Sequence, residues 1–149
     1  MDDITSINSD GVFAEYFNSI YPLSLDLNKE NECNLSSCVL DLNIDILDGK
    51  FISRVYDKRD DFKFKVVQFQ PCHANQARSV SYGVFRSQVI RYSRICNQYS
   101  NFRDKCKWLW HAFLDLGYDK TKLMNLYKRA CRQHRFDEKY GRECGRVLE

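Results

Sequence analysis

The stretch CVLDLNIDILDGKFISRVYDKR, residues 38–59, decides the fold class. Leu40, Leu42, Ile44 and Ile46 alternate with Asp41, Asn43 and Asp45, which puts the apolar side chains on one face of an extended strand. Asp48-Gly49 follows, a pair suited to a two-residue hairpin turn because both residues tolerate positive φ. In the return run Phe51, Ser53, Val55 and Asp57 alternate with Ile52, Arg54 and Tyr56. The pattern predicts a β-hairpin over residues 39–56.

Upstream of the hairpin, Asp10 is placed to cap a short helix whose apolar stripe is Val12, Phe13, Tyr16, Phe17 and Ile20; Pro22 ends it. Residues 28–37, NKENECNLSS, are polar and read as a loop. Downstream, Phe62, Phe64, Val66 and Val67 alternate with charge and predict a further extended segment, and Pro71 to Ser81 reads as a loop. From about Tyr82 the apolar period becomes helical. Phe85, Val89, Tyr92 and Cys96 share one face. Ser100 is placed to cap a second helix bearing Phe102, Cys106, Leu109, Phe113 and Leu116. Gly117 sits where a C-terminal cap belongs, and Asp119 caps a third helix carrying Leu123, Leu126, Tyr127 and Ala130. Residues 131–149 are basic and weakly patterned.

The expected fold is therefore α+β: a short helix and a β-hairpin, then a three-to-four-helix bundle. A lone hairpin is barely stable, so this layout reads as part of a sheet whose partners lie elsewhere. At 149 residues the chain has the length of one domain. No apolar run approaches the roughly 18 residues of a membrane span, and the acidic start does not read as a signal peptide. A cytoplasmic or nuclear protein without membrane association is expected; its oligomeric state is open.

The net charge of +3 is unevenly spread. Residues 1–49 hold ten acids against Lys29 alone, whereas residues 50–149 hold 22 bases and ten acids. A basic half of this kind suits contact with nucleic acid, and equally an ordinary solvated helical surface. The seven cysteines include no CxxC pair. They read as reduced, mostly buried thiols; a zinc site built from Cys33, Cys38, Cys72 and His73 lacks a regular spacing. No spacing pairs a cysteine with His73, His111 or His134 as a nucleophile and base. Asp41, Asp45 and Asp48 read as a solvated face or a cation cluster, and the DKRDD run at residues 57–61 as a charged loop. The adjacent carboxylates Asp2 and Asp3 suit either a cation or a solvated loop.

Three blocks in order bring a resemblance. The opening MDDI resembles the end of the YxDD box of reverse transcriptases. LDLNIDILDGKFISRVYDKRDDF (residues 40–62) is similar to the segment downstream of that box in reverse transcriptases of eukaryotic retroelements, notably Penelope-like and related retrotransposon polyproteins. YGVFRSQVIRYSRIC (82–96) and FRDKCKWLWHAFLDLGY (102–118) are similar to their thumb. The resemblance spans about residues 1–130. It implies a partial palm over residues 1–78 and a helical thumb-like region over 79–149.

It also implies an RNA-directed DNA polymerase, in which two Mg²⁺ ions about 4 Å apart activate the primer 3′-oxygen and steady the leaving pyrophosphate. Asp2 would be the principal catalytic metal ligand and Asp3 its neighbour. The partners would be an RNA or DNA template-primer and deoxynucleotides. Arg86, Arg91, Arg94, Arg103, Lys105 and Lys107 would grip the phosphate backbone. Trp108 and Trp110 would pack in the thumb core or stack on bases. The Tyr of the box, the fingers and the second palm aspartate are not in the sequence, so the chain alone is expected to be inactive. A basic helical nucleic-acid-binding module without catalysis, and a degenerate fragment without function, are the alternative readings.

Overall fold

The computed structural model describes residues 12–22, 24–25, 33, 35–64 and 66–148. The short helix appears as α1, Val12–Ile20, with Phe17 buried and Val12, Tyr16 and Ile20 exposed. Its expected cap, Asp10, lies outside the described residues, as do Asp2 and Asp3.

The sheet has three strands, one more than the hairpin expectation. β1 (Ser36–Val39), β2 (Leu42–Leu47) and β3 (Lys50–Val55) form an antiparallel meander in that order. Residues 36 and 37 close the polar stretch expected to be a loop, yet Ser36 pairs with Asp45 and Ser37 with Ile44. Leu40 and Asp41 make the first turn and are not in a strand. Leu40 stands at φ 54 and is 85% exposed. Its place in the apolar alternation belongs to a residue that faces solvent. The second turn is as expected: Asp48 (φ 50) and Gly49 (φ 72) both take the left-handed conformation that Asp-Gly favours.

The pairs Leu42↔Val55, Ile44↔Ser53 and Ile46↔Phe51 line up one sheet face. Its Val55 end enters the helical core. On the other face Asp45 accepts from Ser36 Oγ at 2.7 Å and pairs with Arg54 at 3.1 Å. The expected extended segment after β3 is instead a single 3-10 turn, Lys58–Asp61, capped by Asp57 and followed by irregular chain.

Four helices follow: α2 (Arg78–Ile95), α3 (Tyr99–Asp115), α4 (Lys120–Gln133) and the single-turn α5 (Phe136–Tyr140). α2 starts four residues before the expected Tyr82, and one before the proposed boundary at 79. α3 starts at Tyr99, and Ser100 lies inside it rather than capping it. α4 is capped as expected, the Asp119 carboxylate accepting from Lys122 N–H at 2.7 Å. Gly117 (φ 83) closes α3: its N–H reaches the Leu114 carbonyl and the Tyr118 N–H reaches that of Phe113. The Phe113 and Tyr118 rings then meet at 4.7 Å, the apolar contact that accompanies this cap.

The core lies among the helices: Phe85, Val89, Phe102, Leu109, Phe113, Leu123, Tyr127 and Ala130 are fully buried. The weakly patterned tail completes it. Phe136, Cys144, Val147 and Leu148 are buried, and Tyr127 Oη donates to the Cys144 carbonyl at 2.6 Å. Lys139 Nζ and Tyr140 Oη both donate to the carbonyls of Ser93 and Cys96, satisfying the open end of α2. The sheet joins the helices through Asn97. Its side chain accepts from Ser53 N–H at 3.0 Å and donates to the Phe51 carbonyl at 2.6 Å, while Ser53 Oγ donates to the Ile95 carbonyl. No helix among the described residues is long and apolar enough to cross a membrane.

Candidate nucleic-acid interface

The six basic residues expected to grip a backbone do not share one face. On α2, Arg86 sits on the flank towards α4 and donates Nη2 to Gln133 Oε1 at 2.7 Å. Arg91 lies on the flank beside the sheet, where Nη2 and Nε reach Asp41 Oδ2 at 2.7 and 2.9 Å. It locks the first turn of the sheet to the helix. Arg94 is exposed; with Asp41, Ser87, Ile90, Arg91 and Ile95 it lines an open groove of about 460 Å³.

On α3 the helical period puts Arg103 and Lys107 on one flank and Lys105 on another. Arg103 Nε pairs with Asp104 at 3.0 Å, and Lys105 Nζ lies 5.8 Å from the centre of the Trp108 ring. Lys107 is exposed. The two tryptophans part company. Trp110 is 5% exposed and packs in the core against Phe85; Trp108 is 44% exposed.

A denser basic surface lies on α4, which the apolar reading of that helix passed over. Leu123, Tyr127, Ala130 and Cys131 turn inward. Lys120, Lys122, Lys128, Arg129 and Arg132 are exposed, as are Asn125, Gln133, His134 and Arg135. Between Asp119 and Asp137 the sequence carries six Lys or Arg and no acid. Lys122 Nζ sits 5.9 Å from the Tyr82 ring, and Arg135 pairs with Glu138 at 3.4 Å in an exposed contact worth little in water. Arg132 lies three or four residues from Lys128, Arg129 and Arg135, and these four cluster towards the carboxyl end of α4, while Lys120 and Lys122 stand at its start with Asn125 between the two groups. Arg86 extends this surface onto α2 through Gln133. The signal was legible in the sequence: the polar face of the third helical segment has one sign of charge only.

The other chemistries fare differently. Asp41 and Asp45 each hold a cationic side chain of the protein itself. Among the described residues no group of three or more His, Cys, Asp or Glu is arranged to hold a metal ion. Burial raises the thiols of Cys96, Cys106, Cys131 and Cys144, that of Cys131 to about 12, which makes them poor nucleophiles at neutral pH. Comparison with known proteins finds no family model, no curated protein and no solved structure that matches the chain.

Proposed function

We propose that this chain binds the phosphate backbone of a nucleic acid through its helical half, in the manner of the thumb of a retroelement reverse transcriptase. The observation that carries the binding is the acid-free basic face of α4. Exposed cations grouped on one helix attract phosphates by displacing condensed counterions, and they need no base contact to do so. The reverse-transcriptase part of the reading rests on the three sequence blocks and their order. It is supported by an α+β layout in which a hairpin precedes a helical bundle. The magnesium chemistry implied for Asp2 and Asp3 finds no set of ligands among the described residues, and no catalytic step is assigned to them.

The test is binding to a labelled oligonucleotide across a salt series. Lys128→Gln, Arg129→Gln and Arg132→Gln together should reduce the slope of log K against log salt by about 2 to 3, at roughly 0.7–0.9 per lost phosphate contact. All three side chains are exposed, so the fold tolerates the change. A slope that stays at its wild-type value would remove α4 from the interface. Undetectable binding by the wild-type chain at low salt would end the proposal.

A further inference from the structure

Trp108 stands out among the aromatic residues of α2, α3 and α4 because it is exposed while Trp110, Phe85, Phe102 and Phe113 are buried. It is nevertheless held. Phe69 packs at 6.3 Å between ring centres, itself anchored on Phe113 at 4.8 Å, and Lys105 sits against the ring. The segment running from β3 to Phe69 is tied to this neighbourhood at its two ends, Asp57 and Phe69. Asp57 is clasped by Arg59 and reached by Gln68 Nε2 at 3.4 Å, and the charge of Lys105 reaches it from α3. This segment also displays Phe62 and Phe64, both exposed and stacked on each other at 5.2 Å. Exposed Lys58 and Lys63 lie beside them in the chain. Three carboxylates of the surface are already engaged: Asp57 by Arg59, Asp61 by Tyr56 Oη and Asp104 by Arg103.

Exposed rings interleaved with cations are what unpaired nucleotides need. A base in a duplex has both faces covered by its neighbours, whereas a single strand offers a free face to an aromatic ring and its phosphates to nearby lysines. Resting on the backbone-binding reading above, we infer that Trp108 is a stacking platform for single-stranded nucleic acid, with the exposed Phe62–Phe64 pair of the adjoining segment as a second stacking surface. The chain would then prefer unpaired nucleotides to duplex at equal phosphate number.

The experiment titrates the full chain with a short oligothymidylate and with a blunt duplex of equal phosphate number, following tryptophan emission and the anisotropy of the labelled probe. The single strand should quench Trp108 and the duplex should not. Trp108→Ala should weaken oligothymidylate binding about 5- to 150-fold, the equivalent of 1–3 kcal/mol per stacked base, and leave duplex affinity unchanged. Trp108→Phe should keep most of the affinity and lose the quench, which guards against a folding defect. If oligothymidylate binds Trp108→Ala as tightly as wild type, or the duplex quenches equally, the platform is refuted while backbone binding stands. If neither probe binds in a salt-dependent way, backbone binding fails and the platform with it.

Discussion

Among the described residues Asp57 is the carboxylate with the most hydrogen bonds to its neighbours. Oδ1 accepts from the backbone N–H and the Nε of Arg59 at 3.1 and 2.7 Å, and Oδ2 accepts from Arg59 Nη2 at 2.8 Å. The Arg59 guanidinium holds the carboxyl below the usual carboxylate range, against the opposing pull of partial burial. A carboxyl with a depressed folded pKa stabilises the fold fully above its unfolded value, 3.8, and loses that contribution as pH falls through the folded value. Asp57→Asn should therefore lower the unfolding free energy by about 1–2 kcal/mol at pH 7. The gap to wild type should close as pH drops below about 4, measured by urea titration at several pH values. A gap that is constant with pH would assign the cost to shape rather than charge. At this scale the sequence was only partly readable. Asp119 and Gly117 were legible as caps because their chemistry is local. Arg91 was not legible as the partner of Asp41, because a contact across fifty residues leaves no trace in spacing.

The elements were legible where one face of each repeats. β2, β3 and the three long helices have that property. The inward residues of the helices follow the helical period, whereas Leu42, Ile44 and Ile46 are only half-buried, Phe51 is exposed and, among the described residues, only Val55 of the sheet enters the core. β1 does not: Ser36, Ser37 and Cys38 are polar or small, and the strand exists because β2 offers it an edge. α5 was missed because one turn of helix is too short to show a period, although Phe136 is among the most buried residues. The join between sheet and helices also lay outside any pattern. Asn97 reads as a loop residue, yet its amide completes hydrogen bonds along the edge of β3. Asn97→Ala should cost about 1 kcal/mol per lost bond. Hydrogen exchange should show the added opening in the amides of β3 before those of α2 and α3. Equal acceleration throughout would mean that the sheet and helices open as one unit.

At the scale of the whole molecule, charge and burial divide the chain unevenly. The first third holds half of the acids and a single cation, the other 22 cations follow it, and the buried core belongs mostly to the helices. The cysteines follow the same division: Cys33 and Cys38 are exposed, Cys72 is half-buried, and Cys96, Cys106, Cys131 and Cys144 are buried. Brief alkylation of the native protein at pH 8 should modify Cys33 and Cys38 first, with the four buried thiols reacting only in denaturant. Intact mass counts the adducts. Uniform reaction of all seven without denaturant would mean that the helical core opens readily. The candidate site was legible as a basic half and illegible as a surface, because which cations share a face depends on how the helices turn against one another.

The clasp that the tail places on α2 has a consequence for biosynthesis. Lys139 and Tyr140 close the carboxyl end of a helix that leaves the ribosome some forty-five residues earlier, and Phe136 and Leu148 fill a core whose other walls are already made. Until that last stretch emerges, α2, α3 and α4 surround an unfilled interior with open carbonyls at one end. The helical half of a nascent chain therefore completes its core, and closes the end of α2, only once residues 136–148 have emerged.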